Sequence, residues 1–322
     1  MWRRGRRHAA RVLLCVSLAC LPVFASARAA VTCSFVDLMP TFWQALGAVN
    51  GAAQMRTVMI DPHPDLYNEL LVTVPSGEDW ESTFSSEKTY DDAHRTQVRA
   101  AERYLVANAP RYMAGFQHAF PDYRCDFTFY IAPSFGNLDG SAATVGGKYL
   151  IVFAPDFIPR IHALNDLKIL IDHETFHVYH HQATGVFGAA EQLPTIEEAL
   201  WSEGLATFVS WRMNPRVSID SALIQPGLAE AARPHLQSMV AELRQHLGEK
   251  NEATYGRFFQ GGNAPEGCPS RGGYYIGFLI AQDLSKRYSL QQLARLKGDE
   301  LHEAIVAELD RIGAPAAVAM SP

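Results

Sequence analysis

Apolar residues recur along this chain with two different periods, and the change of period divides it. Val98, Ala101, Tyr104 and Leu105 repeat at helical spacing within residues 91–119, where Pro110 predicts a kink or a division and Pro121 a stop. A shorter helix is predicted over residues 35–49. Residues 127–132 are aromatic and β-branched, the composition of a strand. Two extended runs, 143–145 and 148–153, flank Gly146-Gly147 and read as a β-hairpin. From about residue 160 the pattern turns helical. One helix opens near Asn165 and runs through Gln182 to a stop before Gly185. A second runs from Pro194 to Asn214-Pro215, and others cover about 226–247, 273–287 and 289–311. Helices and strands are thus segregated, which predicts an α+β fold with a small sheet in the first half. The expected division is a mixed part at 28–160 carrying the hairpin and a helical part at 161–322.

Ahead of both lies a segment of another kind. Residues 1–11 are basic, residues 12–21 are apolar, and Ala25-Ser26-Ala27 offers a small-residue cleavage site. That layout predicts a secretory signal peptide over residues 1–27. The apolar run is too short to span a bilayer, so no stable membrane insertion is expected after its removal. The expected location is periplasmic or extracellular. The formal net charge of −6 disfavours a protein that neutralises nucleic-acid phosphates, and five of the 28 basic residues precede residue 28, so the remainder is more acidic still. Cys15 and Cys20 leave with the leader. Cys33, Cys125 and Cys268 remain, allowing at most one internal disulfide whose pair the spacing does not choose, and no Cys-x-x-Cys metal site exists.

The chemistry concentrates in one helix. His173-Glu174-Thr175-Phe176-His177 is an HExxH sequence, the pattern of two zinc ligands and a general base. Four residues advance a helix by about 400° and ~6 Å, so both imidazoles leave one face and can reach one ion. Glu174 stands beside them, placed to take a proton from a zinc-activated water. Chance would supply HExxH in about 2–3 of 100 chains of this composition, so context has to carry weight. A catalytic zinc needs a third protein ligand. A further histidine at the HxxGxxH spacing is missing, because His180 and Ala183 occupy those positions. The next helix offers carboxylates instead. Glu203 lies 26 positions after His177, enough for a loop and an antiparallel return, and Gly204 and Ala206 beside it are small, as a close helix approach requires. Glu198 and Glu197 compete with it, one to two turns nearer the helix start, where carboxylates also serve the macrodipole.

HExxH followed on the next helix by Glu203-Gly204-Leu205-Ala206 resembles the gluzincin metallopeptidases, including their thermolysin-like and aminopeptidase branches. Together with Ser202 before that element and Arg271-Gly272-Gly273-Tyr274-Tyr275-Ile276-Gly277 after it, the chain looks similar to a bacterial family of zinc-dependent proteases over roughly residues 125–311. The resemblance implies a zincin-like fold, one Zn2+ per chain held by His173, His177 and Glu203, and Glu174 as general base and acid. It also implies that the hairpin edge accepts an extended peptide by strand addition. Thermolysin-like enzymes place an aspartate four residues after the ligand glutamate, where this chain has Thr207. The partner that orients a ligand histidine is therefore unassigned from the sequence.

Two further groups invite chemistry. His180 and His181 suit a helix C-terminus, where imidazole answers the last carbonyls, better than a second metal site. Arg271, Tyr274 and Tyr275 open a helix after a Gly- and Pro-rich loop and are candidate donors to an oxyanion, with Tyr275 and Arg271 entered as catalytic candidates. The expected function is a secreted or periplasmic zinc hydrolase, a peptidase acting on a peptide or protein substrate. A non-peptide amidase or esterase and a zinc-stabilised binding protein without turnover are the alternatives.

Overall fold

The computed structural model describes residues 33–70, 77–185, 193–261 and 268–314. The expected leader lies outside the described residues. The fold is mixed α+β, with a four-stranded sheet and a larger helical part. Strands β1 (Ser34–Asp37), β2 (Thr128–Ile131), β3 (Gly140–Val145) and β4 (Lys148–Phe153) lie in the order β1-β2-β4-β3. The first three of that order run parallel and β3 is antiparallel to β4. Gly146 and Gly147 both have positive φ, 54° and 77°, the pair of left-handed residues that a two-residue hairpin turn requires. A disulfide joins Cys33 to Cys125 and leaves Cys268 free. It ties the start of β1 to the approach to β2 across a sequence separation of 92. In the chain-entropy picture such a loop contributes about 4–5 kcal/mol.

Nine helices of eight residues or more occur among the described residues. They are α1 (Met39–Leu46), α2 (Gly77–Ala93), α3 (Arg95–Ala119), α4 (Leu167–Thr184), α5 (Ile196–Met213), α6 (Leu236–His246), α7 (Glu252–Phe259), α8 (Gly272–Leu284) and α9 (Gly298–Gly313). Several differ from the sequence reading, each for a physical reason. The helix expected at 35–49 loses its start to β1, whose pairing with β2 is formed at long range and leaves no local signal. Helix α2 was not anticipated, because only Trp80, Phe84 and Asp91 among its residues are buried and its pattern is mostly polar. Pro110 sits inside an unbroken α3, held in place by buried Leu105, Ala109, Met113 and Phe116 on either side of it. The helix expected at 226–247 breaks at a 3-10 turn, Arg233–His235, which Pro234 initiates. The one expected at 289–311 divides before Gly298, whose φ is +58°.

Helix α4 is buried on nearly every face, between α3, α5 and β3. Gly185 in the left-handed conformation ends it, its N–H reaching the His181 carbonyl at 2.7 Å. Helix α5 opens with a capping box. Glu198 N–H donates to Thr195 Oγ1 (3.2 Å) and Thr195 N–H donates to the Glu198 carboxylate (2.8 Å). Its far side meets α8 at a close backbone contact. A Cβ on Gly204 would lie 2.3 Å from the Gly277 Cα, and one on Gly277 would lie 2.3 Å from the Leu200 carbonyl oxygen. The two backbones touch directly.

The approach to β3 is held by a buried carboxylate. Asp156 accepts from the N–H groups of Ser134 (3.0 Å) and Gly136 (3.2 Å), fixing the loop that leads to Asp139 and Gly140. Asp91 on α2 is buried near it, and burial, then the Asp156 and Glu87 charges, push its carboxyl up to about 8.

Two predictions follow from this packing. Gly277→Ala should lower stability by ~3 kcal/mol in a urea titration, because the added methyl meets backbone on α5 rather than a side chain that can rotate away. Stability should also fall as pH rises toward 8. Asp91 keeps its proton to about pH 8 when folded but loses it near 3.8 when unfolded, so between those values the folded chain binds more protons and each rise in pH favours the unfolded state. Asp91→Asn should flatten this fall in urea midpoints measured from pH 5 to 8; an unchanged slope would overturn the assignment.

Candidate metal centre

His173 and His177 occupy successive turns of α4, and the return of the chain as α5 brings Glu203 against them. The Nε2 atoms of the two imidazoles are 3.0 Å apart. The Glu203 Oε2 lies 3.4 Å from the first and 3.6 Å from the second. A tetrahedral ion with bonds of ~2.0–2.1 Å separates its donor atoms by about 3.3–3.4 Å, so the triad has the dimensions of a three-ligand site. Two imidazole nitrogens facing each other this closely need a proton or a cation between them. These three residues could hold a metal ion, and among the described residues they are the one His, Cys, Asp or Glu group close enough to do so.

The charges agree with the geometry. Burial opposes the charged form of His177, yet the Glu203 carboxylate and then Glu174 hold it up at about 9. Burial keeps His173 below its ordinary value. Glu203 is held well below the usual carboxylate range in spite of burial, by His177 and His173 together. The raised His177 and the lowered Glu203 both favour positive charge where the three groups meet, the place a cation would take.

The orienting partner missing from the sequence reading is Ser202, whose Oγ lies 3.2 Å from His177 Nδ1. Nothing but its position next to Glu203 signalled it. His173 Nδ1 is buried without a hydrogen-bond partner. Thr207 turns back on its own helix, donating to the Glu203 carbonyl at 2.8 Å. The other two carboxylates considered on α5 are engaged elsewhere: Glu198 in the capping box, and Glu197 with His302 Nδ1 at 2.6 Å.

Glu174 faces the opposite way, toward the sheet. The Ala154 N–H donates to the Asp139 carbonyl (2.8 Å), which makes Gly140 and Phe153 a non-hydrogen-bonded pair. Two residues on, Ala142 opposite Ile151 is another, so its N–H points away from β4. That N–H faces the Glu174 carboxylate, whose pKa burial pushes up to about 8. Glu174 is thus pinned to the edge strand, while its two histidine neighbours face α5. The segment Asp65–Leu70 also packs on β3, so the strand is partly covered.

A cavity of about 910 Å³ opens over the triad. It is lined by Gly140 to Ala142 of β3, by Glu174 and the ligands, and on the far wall by Tyr255, Arg271 and Tyr274. Tyr274, rather than Tyr275, faces inward. Its ring stacks over His173 with centroids 6.5 Å apart, and burial and then the Glu203 charge push its phenol well above the ordinary value, so it remains a proton donor. Tyr275 lies one position on, turned into the core between α8 and its neighbours, and does not line the cavity. His180 is buried beside Phe176, and burial pushes it down to about 3. His181 packs its ring edge against Tyr149. Neither joins the triad.

The purified chain should carry one metal ion, and His173→Ala and Glu203→Ala should each lose most of it, as metal analysis of the dialysed proteins would show. Uptake should also release about one proton at pH 7. His177 is protonated there, a ligand must be neutral, and affinity should climb about tenfold per pH unit until about pH 9. Calorimetry in buffers of different ionisation heat reads that proton directly. Comparison of the chain with protein-family models, with characterised proteins and with solved structures returned no match.

Proposed function

We propose that the chain is an exported zinc-dependent hydrolase with a zincin-like catalytic arrangement, acting on peptide bonds. The observation that carries this reading is the convergence of His173, His177 and Glu203 within 3.6 Å, with a second carboxylate, Glu174 on the histidines' helix, docked on the sheet beside them. Two histidines and one glutamate leave a fourth position open, the donor set of a catalytic rather than a structural zinc. When bound there, zinc would polarise a carbonyl and make water acidic enough to be deprotonated near neutral pH.

The chain's own groups supply the rest. Glu174, docked on Ala142 and shielded from solvent, takes the proton from water and returns it to the departing amine nitrogen. Its raised pKa suits both directions of transfer. Tyr274 stands across the ligands from β3 with its proton retained, positioned to donate to a carbonyl oxygen as negative charge gathers there. Ser202 fixes the His177 ring through Nδ1, in the role that second partners play around metal-binding histidines. The substrate has to lie between β3 and the first turn of α8, and a cavity of this volume accommodates a few residues of extended chain.

Glu174→Gln should retain the metal and lower turnover of a fluorogenic peptide library at least about a hundredfold. A metal-loaded wild type that cleaves an amide or ester panel and no peptide would replace the peptidase with the non-peptide hydrolase. A wild type that cleaves neither, with metal bound, would overturn the hydrolase reading.

A further inference from the structure

Every acidic side chain that lines the cavity already has a partner. Glu203 is shared between the two histidines, Glu174 faces Ala142, Asp139 pairs with His162 (2.5 Å), Glu197 with His302, and Glu198 caps its helix. The cavity's two permanent cations differ from each other. Lys297 donates to the Thr184 carbonyl at 3.1 Å. Arg271 has no carboxylate against it among the described residues, and its Nε is buried without any hydrogen-bond partner. Nearby Arg257 also has a buried, unpartnered Nε but is paired with the Glu242 carboxylate, so the difference at Arg271 is the missing carboxylate.

The backbone at Arg271 makes the same point independently. Its φ and ψ are 62° and 15°, in the left-handed region that glycine occupies without strain and other residues occupy at a cost of order 1 kcal/mol. Gly272 and Gly273 follow at once, both packed closely against their neighbours. A Cβ on Gly272 would fall 1.8 Å from Met239 Cε, and one on Gly273 2.4 Å from the Phe259 ring. The Arg271 N–H is tied to the Arg257 carbonyl at 3.0 Å. An arginine thus stands in a left-handed position, with its N–H bonded and close packing directly after it. Its guanidinium carbon lies 4.6 Å from the centre of the Tyr274 ring, which in turn is 6.5 Å from that of His173.

We propose that Arg271 is a substrate-binding residue that receives a carboxylate, within about three residues of the bond to be cut at ~3.5 Å of extended chain per residue. The planar fork held on an aromatic face is the form of cation suited to that group. The inference rests on the hydrolase reading for its orientation relative to the scissile bond, and on the chain alone for the binding itself. Two sources present this chemistry, a peptide C-terminus and an acidic side chain.

Binding calorimetry on the full mature chain carrying Glu174→Gln, with its metal, keeps the probes intact. Acetyl-tetraalanine with a free C-terminus, its C-terminal amide, and the amide ending in glutamate are the probes. The first or the third should bind at least ~10-fold more tightly than the plain amide. A preference for the first assigns the C-terminus, and one for the third assigns the side chain. Arg271→Gln and Arg271→Gly should each reduce the preference to about one, and Arg271→Gly takes the left-handed backbone without strain and so folds even where the glutamine variant does not. No preference in the parent chain, or one that survives in the folded variants, would overturn the proposal. Turnover by the wild type is read separately. Cleavage without carboxylate preference refutes only Arg271, and preference without cleavage refutes only the hydrolase.

Discussion

Between α5 and α8 there is no room for a methyl group, and the geometry of the cavity follows from that. With Gly204 lying against Gly277, the two helices meet backbone to backbone. Glu203 immediately precedes one glycine, and Tyr274 lies three residues before the other. The contact therefore sets the distance between a metal-ligand carboxylate and the aromatic residue above it. Wider packing by even one side-chain layer would carry Tyr274 and Arg271 away from the histidines. Gly204 was expected to permit a close helix approach near the metal; the helix that approaches is α8, and the HExxH helix meets the other side of α5.

The second constraint is electrostatic. Two imidazoles and two carboxylates are withdrawn from water on α4 and α5, and buried ionisable groups are tolerated only when they are paired. The chain separates them into two functions. Three side chains face one another and neutralise their charges around a common point. Glu174 is directed at a backbone N–H of β3, which keeps it out of that cluster. The separation requires an edge-strand residue whose N–H points outward, and the register places Ala142 there. The sheet thus contributes a hydrogen-bond donor as well as a wall.

The parts of the site legible in the sequence are those whose geometry is local. His173, Glu174 and His177 share one helix, so spacing alone puts two rings on a face and the carboxylate beside them. Glu203 was readable one step further, because a short connection between two helices limits where the second can return. The sequence reading already preferred it to Glu197 and Glu198, and the structure adds that this pair is occupied by His302 and by the helix cap. Tyr274 and Tyr275 differ by one position, and the sequence reading favoured Tyr275; which of them faces inward depends on the rotation of α8, set by glycine contacts no periodicity reveals. Ser202 and Ala142 left no signal, one being a common polar residue and the other acting through its backbone. In the fold, the hairpin and the main helices were readable from local pattern, whereas β1 exists only through a partner far along the chain and α2 has too few buried residues to show a face.

The strained arginine bears on how such a cavity acquires direction. A site built only from ligands and a base is nearly symmetric toward an extended chain, since neither distinguishes one end of a peptide from the other. Direction requires a fixed charge displaced from the reacting centre and unable to relax toward it. Arg271 fits both conditions: its N–H is tied to the Arg257 carbonyl at the head of a closely packed turn, and Tyr274 lies between its guanidinium and Glu203. A guanidinium on Glu203, which the two histidines already share, would compete with any cation for that carboxylate. Holding the guanidinium on the Tyr274 face therefore keeps it off Glu203 and leaves that carboxylate to the two histidines.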